Sequence, residues 1–149
     1  PGRPGKWHRM DRPHRNNPEH QQQVIVAQAL MLARIPFSAS LSGVNLTKAQ
    51  RGMAKARGVQ AGEPDIIIHR APPAHPGLIG MAVEMKTIDL MPKTDRAMKW
   101  SGAEPHQRER LQELENERFL AVVGYGADDA IEKIRAAGYP LPLMPRVAR

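Results

Sequence analysis

The chain has 149 residues, of which 41% are hydrophobic and 25% charged, enough for one globular domain with a modest core. The absence of cysteine excludes disulfides and Cys-ligated zinc, and no apolar run approaches the length of a membrane span, so we expect a soluble cytoplasmic protein without membrane contact. Lysine and arginine outnumber aspartate and glutamate by 22 to 15, which favours a polyanionic partner, nucleic acid first.

The N-terminal segment differs in composition from the rest. Residues 1–18 are rich in proline, glycine and arginine and show no periodicity, which predicts a flexible basic arm. This arm is either a solvated tail or a contact for nucleic acid. Apolar residues at helical spacing then predict a helix that ends near Arg34, with Asn17 as its cap and Pro18 in the first helical position.

A short strand at residues 36–41 and a turn at residues 42–45 follow this helix. A second helix is predicted over residues 48–57, with Thr47 as its cap. It has basic side chains and no acidic ones, so it is either a solvated surface or a contact for phosphates. The basic residues of this segment are Lys48, Arg51, Lys55 and Arg57.

The remaining segments alternate between strands and helices. A proline-rich turn separates strands at residues 65–70 and 78–86, which predicts an antiparallel hairpin. An irregular segment, a polar helix and an apolar strand follow at residues 87–105, 106–117 and 118–125. An amphipathic helix then ends at Gly138, before a proline-rich tail at residues 140–149. This order predicts an α/β domain with one central mixed sheet flanked by helices.

Acidic residues occupy unexpected positions in the predicted hairpin. Asp65 begins an apolar strand, and Glu84 and Lys86 share one face of the other strand because side chains alternate. The opposite face is apolar, with Met81, Val83 and Met85. By themselves, Glu84 and Lys86 fit a neutralising pair on a surface strand. Antiparallel pairing, however, brings Asp65 near Glu84, and two adjacent carboxylates favour a hard cation such as Mg²⁺.

Pro64-Asp65 followed by Glu84-x-Lys86 is the signature of the PD-(D/E)xK nuclease superfamily. With an acid, Glu19, on the first helix and Gln107 on the helix before the next strand, the chain resembles the VRR-NUC (virus-type replication-repair nuclease) branch over about residues 19–138. Its short length resembles the stand-alone proteins of phages and bacteria, which are similar to Holliday-junction resolvases. The resemblance implies a restriction-endonuclease-like core at residues 19–139, a homodimer, and the cytoplasm of a bacterial or phage-infected cell.

The resemblance also implies roles for individual residues. The catalytic set would be Glu19, Asp65, Glu84, Lys86 and Gln107. Asp65, Glu84 and the backbone carbonyl of Met85 would bind Mg²⁺ or Mn²⁺, with Glu19 reaching the metal through water. Lys86 would orient the attacking water, and Gln107 would support Lys86 or the phosphate. The helix register leaves open whether Gln22 or Gln23 faces the site instead of Glu19.

The expected function is a metal-dependent DNA endonuclease that hydrolyses phosphodiester bonds in branched or structured DNA, such as a junction or a flap, without a small-molecule cofactor. Phosphate contacts are expected at Lys48, Arg51, Lys55, Arg57, Lys93, Arg96 and Lys99. Two alternatives are a sequence-specific restriction-type enzyme and a non-catalytic nucleic-acid-binding protein in which the acids and Lys86 form a structural ion cluster. Trp7 and Trp100 either stack on unpaired bases or serve in packing.

Overall fold

The computed structural model describes residues 18–40, 46–58, 60 and 62–142. Its elements follow the predicted order. In chain order they are α1 (Pro18–Leu32), β1 (Phe37–Ala39), α2 (Lys48–Ala56), β2 (Ile66–Ile68), β3 (Gly80–Lys86), a 3₁₀ turn (Ile88–Leu90), α3 (Pro105–Asn116), β4 (Phe119–Tyr125) and α4 (Gly126–Ala136). None of the described helices is both long and apolar enough to cross a bilayer.

The four strands form one mixed sheet in the order β1-β2-β3-β4. β2 pairs antiparallel with β1 and with β3, which confirms the predicted hairpin. β4 pairs parallel with β3. This is possible because α3 returns the chain to the end of the sheet at which β3 starts, before β4 begins. The predicted α/β class with a central mixed sheet flanked by helices is therefore confirmed.

Helices cover both faces of this sheet. Met81, Val83 and Met85 are fully buried in the cluster that α1 and α4 build on one face, as the alternation predicts. Ala82 points to the other face and packs with Leu111 of α3 in a second cluster. The apolar pattern of β3 on both faces follows from this central position between two helical layers.

The strands are shorter than predicted. Asp65 precedes β2 rather than opening it, because its side chain instead of its backbone bonds to the N–H of Met85 on β3. Pro18 belongs to α1, so the predicted arm loses its last residue to the helix. The rest of that arm (residues 1–17), the predicted turn at residues 42–45 and residues 143–149 of the tail lie outside the described residues.

The core extends past the end of α4 into the start of the predicted tail. The chain turns at Gly138, as predicted, where φ is 98°. Tyr139 and Leu141 then pack into the α1–α4 cluster, and the Tyr139 hydroxyl donates to the carbonyl of Arg70. The end of the fold is thereby tied to the β2–β3 connection.

Candidate active site

Two carboxylates meet where β2 begins and β3 ends. The β2–β3 register pairs Ile66 with Val83, so one further step places Asp65 opposite Glu84. Asp65 Oδ2 accepts a 2.7 Å hydrogen bond from the Met85 N–H, which holds the carboxylate against β3. Asp65 is only 7% exposed and Glu84 only 2%. The fold therefore places two acids side by side in a nearly dry environment.

The two oxygens of Glu84 have different surroundings. Oε1 accepts a 2.8 Å hydrogen bond from Gln107 Nε2, and Lys86 Nζ lies 3.7 Å from the same oxygen. Oε2 is buried, and no donor in the described part of the chain bonds to it. A buried carboxylate oxygen without a donor costs of order 1–3 kcal/mol, and a cation bound at this oxygen would offset that cost.

The electrostatics of the pair also favour a cation. Burial is the largest cause that raises the pKa of Glu84, to about 8, and repulsion from Asp65 adds to it. Burial likewise raises the pKa of Asp65, to about 6, against the lowering effect of the Met85 hydrogen bond. The negative charge of Glu19 raises both pKa values, while Lys86 lowers them. Lys86 alone therefore does not neutralise the carboxyl pair.

Sequence analysis did not decide which of three α1 side chains faces the site. All three, Glu19, Gln22 and Gln23, lie near this edge of the sheet. Glu19 is half-buried in the first turn, where its charge acts on Asp65 and on Glu84. Gln23 Nε2 donates to the carbonyl oxygen of Asp65 at 3.4 Å. Gln22 Oε1 accepts from the first turn of α4, at the N–H of Ala127, with a distance of 2.7 Å. Gln22 is thus engaged in joining two helices, whereas the charge of Glu19 acts on the carboxyl pair.

Gln107 links the start of α3 to Glu84. Its Oε1 accepts a 2.8 Å bond from the backbone N–H of Glu104, the N-cap of α3, while its Nε2 donates to Glu84. These two bonds fix the orientation of the amide. The resemblance implied support for Lys86 or for a phosphate, whereas the observed contact of Gln107 is with the carboxylate itself.

A second contact from α3 is absent from the sequence-based prediction. Arg110 Nε donates to Glu63 Oε1 at 2.6 Å, two residues before Asp65. Gly62, with φ at 84°, approaches His106 so closely that a Cβ would lie 3.1 Å from its ring. α3 therefore clamps the turn that carries Asp65. The i, i+3 spacing of Gln107 and Arg110 places both side chains on one side of α3, but it does not identify Glu63 as the partner of Arg110.

The donors at this edge suit a hard divalent cation. The N–H and C=O of one strand residue point to the same side of the strand, so the Met85 carbonyl faces the side where Asp65 lies. Two carboxylates and a carbonyl form an oxygen set of the kind that Mg²⁺ and Mn²⁺ prefer. Within the described ranges, no three His, Cys, Asp or Glu side chains converge as metal ligands. The carbonyl, or Glu19 through water, would complete the set.

The predicted phosphate contacts fall into two groups. α2 buries none of its residues and is held at its start by a capping box between Thr47 and Gln50. Its basic residues Lys48, Arg51 and Lys55 follow i, i+3, i+7 spacing and share one exposed side. The other exposed basic residues from the prediction are Arg57, Lys93, Arg96 and Lys99.

Lys99 differs from the others because described side chains contact its ammonium. Its ammonium lies 2.7 Å from Glu115 and 4.5 Å from the ring centre of Trp100. The Trp100 indole in turn donates to the carbonyl of Ala121 and packs against the α3 side of the sheet. Trp100 therefore serves in packing, the second of its two expected roles, and Lys99 is the least suited of the basic residues to a phosphate. Trp7 lies outside the described residues.

Comparison with known proteins adds an independent observation. No protein-family model matches the chain, and no curated protein does either. A solved structure of a VRR_NUC domain protein is similar, with 25% sequence identity and a TM-score of 0.54, over 83% of this chain and 90% of that one. This similarity supports the VRR-NUC resemblance, and the observed sheet and helices are consistent with a VRR-NUC nuclease fold.

Proposed function

We propose that the chain is a metal-dependent DNA endonuclease that hydrolyses phosphodiester bonds in branched or structured DNA. The observation that carries the proposal is Glu84 Oε2, a buried carboxylate oxygen beside Asp65 to which no described donor bonds. In a structural ion cluster without a metal, donors to both oxygens would satisfy the buried carboxyl group. Here the donors of Lys86 and Gln107 both lie at Oε1, which keeps Oε2 available to a cation.

Asp65, Glu84 and the Met85 carbonyl would hold Mg²⁺ or Mn²⁺, with Glu19 contributing through water. When bound, such an ion lowers the pKa of a coordinated water and stabilises charge on the phosphate. The Met85 N–H and Gln23 hold Asp65 through its side chain and its backbone carbonyl, respectively. These contacts preserve the position of the acid although it lies outside regular secondary structure.

Lys86 would supply the positive charge that the reaction needs. Its ammonium is 3.7 Å from Glu84 Oε1, too far for a strong hydrogen bond, and its side chain is 9% exposed. A lysine has three donors, so this arrangement permits contacts to a phosphate oxygen and to the attacking water. A preorganised charge in a site with little water stabilises a developing negative charge more strongly than it would in solvent.

The exposed basic side of α2, with Lys93 and Arg96 elsewhere on the surface, would hold DNA phosphates. Such contacts position a duplex without reading its sequence. This mode of binding fits a substrate that is recognised by its shape, which is why branched DNA is proposed over a fixed base sequence.

A cleavage assay tests the proposal. Linear duplex, flap and four-way-junction DNA are incubated with Mg²⁺, Mn²⁺ or EDTA, using wild type, Lys86→Ala and, as a control, the exposed surface variant Glu132→Gln. We expect metal-dependent cutting of branched DNA by wild type and Glu132→Gln, and none by Lys86→Ala, which retains DNA binding. Failure of wild type to cut any substrate with either ion would leave a binding protein. Cutting of linear duplex at one base sequence would indicate a restriction-type enzyme.

A further inference from the structure

Exposed apolar side chains follow β3 closely, at the end of the sheet where the two carboxylates lie. Ile88 and Leu90 belong to the 3₁₀ turn after this strand, and Met91 comes next. These residues are 62%, 41% and 37% exposed, respectively. Single exposed apolar residues are common on protein surfaces, but three among four consecutive residues beside a candidate active site form a cluster that marks a contact surface. We call Ile88, Leu90 and Met91 the apolar turn.

Backbone hydrogen bonds give the apolar turn a defined shape. The N–H of Leu90 donates to the carbonyl of Thr87, and that of Met91 donates to the carbonyl of Ile88, each at 3.1 Å. With about three residues per turn, side chains three positions apart lie above one another, so Ile88 and Met91 share one side. Asp89 is rotated from them by about 120° and lies off this side. The turn thus presents an uncharged apolar surface built from Ile88 and Met91.

The remaining residue of the turn, Leu90, packs against the segment before α3. Its side chain lies so close to Gly102 that a Cβ added there would be 3.3 Å from the Leu90 Cβ. Next to Gly102, the carbonyl of Ser101 accepts a 2.6 Å hydrogen bond from the Tyr125 hydroxyl. Tyr125 lies on β4 in register with Lys86 of β3. The same end of the sheet therefore supports the apolar turn and Lys86, and the turn keeps its position relative to the candidate active site.

The surroundings of the apolar turn favour a polyanion as its partner. Residues 86–99 carry four basic and two acidic side chains, so this segment is positively charged, as the whole chain is. Lys93 and Arg96 are exposed there. An apolar surface among positive side chains suits a ligand that is both anionic and apolar. DNA combines these properties, because it carries phosphates and the flat faces of its bases.

Only some DNA structures expose the face of a base. In an intact duplex the bases cover one another, and an apolar side chain reaches them only by opening a base step, which costs free energy. This cost is smallest where a base is already unpaired, as at the branch point of a flap or a junction. Isoleucine, leucine and methionine are among the residues that proteins insert at opened base steps. The apolar turn is thus suited to an unstacked base rather than to the backbone of a regular duplex.

The distance from Lys86 to the apolar turn matches the spacing of bases in DNA. Thr87, between Lys86 and Ile88, is extended, with φ −73° and ψ 153°. Two residues of extended chain span about 7 Å, and stacked bases of one strand are ~3.4 Å apart, so this span covers about two base steps. A phosphate held at Lys86 would therefore have an adjacent base within reach of Ile88.

We propose that the apolar turn contacts the face of an unstacked base next to the phosphate held at Lys86, and that this contact makes the site prefer branched DNA to intact duplex. The inference rests on the proposed nuclease function and specifies what distinguishes its substrate. It assigns branch recognition to Ile88 and Met91, while the basic side of α2 adds affinity for any duplex.

Binding without cleavage tests the contact. In EDTA, fluorescence anisotropy gives the Kd for a flap, a four-way junction and a linear duplex of equal length. We expect wild type to prefer branched DNA, and the double variant Ile88→Ser with Met91→Ser to reduce this preference at least about fivefold. Ile79→Ser is the matched control, since Ile79 is 46% exposed and lies at the opposite end of β3, about 20 Å away. The Kd for linear duplex should be equal for wild type and variants, which verifies that they fold.

A fluorescent base analogue tests where on the DNA the contact lies. 2-Aminopurine, whose fluorescence responds to stacking, is placed either at the branch point or well inside one arm. We expect wild type to change the fluorescence at the branch point alone, and Ile88→Ser with Met91→Ser to lose most of this change. Ile88→Phe should keep it, because an aromatic ring also stacks on a base. If the double variant keeps the wild-type preference and signal, the proposal is overturned and the apolar turn is left to a protein partner.

Failure of this proposal is distinguishable from failure of the nuclease function, because the binding assays need no cleavage. A wild type that prefers branched DNA through the apolar turn but cuts nothing with Mg²⁺ or Mn²⁺ would support the contact and contradict the nuclease function. A wild type that cuts branched and linear DNA alike, and binds them with equal Kd, would keep the nuclease function and overturn the contact.

Discussion

The two carboxylate oxygens of Glu84 have unequal surroundings, which favours the proposed metal-ligand role over a structural ion pair. Oε1 is within hydrogen-bonding distance of Gln107 and near Lys86, whereas Oε2 is buried without a described donor. Asp65 stands opposite and has its own anchor in the Met85 N–H. The asymmetry matters because native proteins rarely leave a buried polar oxygen without a hydrogen-bond partner.

Replacement of Glu84 by glutamine should affect the stability of the protein and its cleavage activity differently. Because an amide has no charge to desolvate, Glu84→Gln should fold at least as stably as the metal-free wild type at pH 8. We expect its cleavage rate to fall by at least about 100-fold, or ~2.7 kcal/mol in the barrier. Single-turnover cleavage of a four-way junction, beside thermal melting in EDTA, measures both effects. A variant that retains the wild-type rate would exclude Glu84 from the chemistry.

The raised pKa values imply a pH-dependent stability of the metal-free protein. Burial raises the pKa of Glu84 from 4.5 to about 8, so the folded state holds a proton that the unfolded chain has lost. Stability from this group is therefore complete below about pH 4.5 and is lost as pH rises toward 8. Urea unfolding in EDTA at pH 5 and pH 8 should show a larger loss for wild type than for Glu84→Gln. Equal losses would show that Glu84 does not titrate in this range.

At the scale of elements, α3 acts as a brace for both acidic segments. Gln107 bonds to Glu84 on β3, and Arg110, one turn later, bonds to Glu63 in the turn before Asp65. The helix begins at Pro105 with Glu104 as its cap, so the brace is positioned by the helix terminus itself. One rigid element thus sets the relative position of two carboxylates from different segments.

Arg110→Ala tests this brace. Loss of the 2.6 Å bond to Glu63 frees the turn that carries Asp65, and removing such a supporting contact typically weakens metal affinity 10–100-fold. Isothermal titration calorimetry with Mn²⁺ measures the metal affinity without DNA. Glu113→Ala is the control, since it removes only the exposed partner of Arg110 at 3.1 Å. If both variants bind Mn²⁺ like wild type, the clamp has no role in positioning.

The second helix should contribute to DNA binding through charge alone. Changing Lys48, Arg51 and Lys55 together to glutamine leaves packing intact, because α2 buries no residue. We expect the slope of log Kd against log salt to fall by about 0.9 for each phosphate that the variant no longer neutralises. Fluorescence anisotropy at several salt concentrations measures the slope. Lys99→Gln is the control and should change this slope little, since Lys99 is already paired with Glu115. An unchanged slope in the triple variant would exclude α2 from the DNA interface.

At the scale of the whole molecule, the candidate site joins segments far apart in the chain. Glu19 comes from α1, Asp65 and Glu84 from the β2–β3 hairpin, and Gln107 from α3. These elements are parts of one sheet with its covering helices, so binding at their junction should stabilise the entire fold.

Metal addition tests that coupling. A ligand that binds only the folded state stabilises it by ~2.7 kcal/mol at 100 times its Kd. We expect Mn²⁺ to raise the urea midpoint of wild type, and to do so more at pH 8 than at pH 6, because bound metal must displace the proton on Glu84. Glu84→Gln should show little effect. Equal stabilisation of both proteins would place the ion elsewhere.

The sequence by itself determined the features that depend on local pattern. Alternation identified the buried face of β3 with Met81, Val83 and Met85, and the proline-rich connection identified the hairpin that brings Asp65 to Glu84. These predictions succeeded because strand periodicity and antiparallel pairing follow from backbone geometry.

Only the tertiary structure decided which groups each side chain contacts. The bond of Gln107 to Glu84 spans 23 positions and that of Arg110 to Glu63 spans 47, so neither follows from local pattern. The same applies to the two faces of α1, since both are apolar and only packing shows which one meets the sheet. Side-chain contacts across such separations depend on how whole elements are placed, and that placement is the sum of many weak interactions.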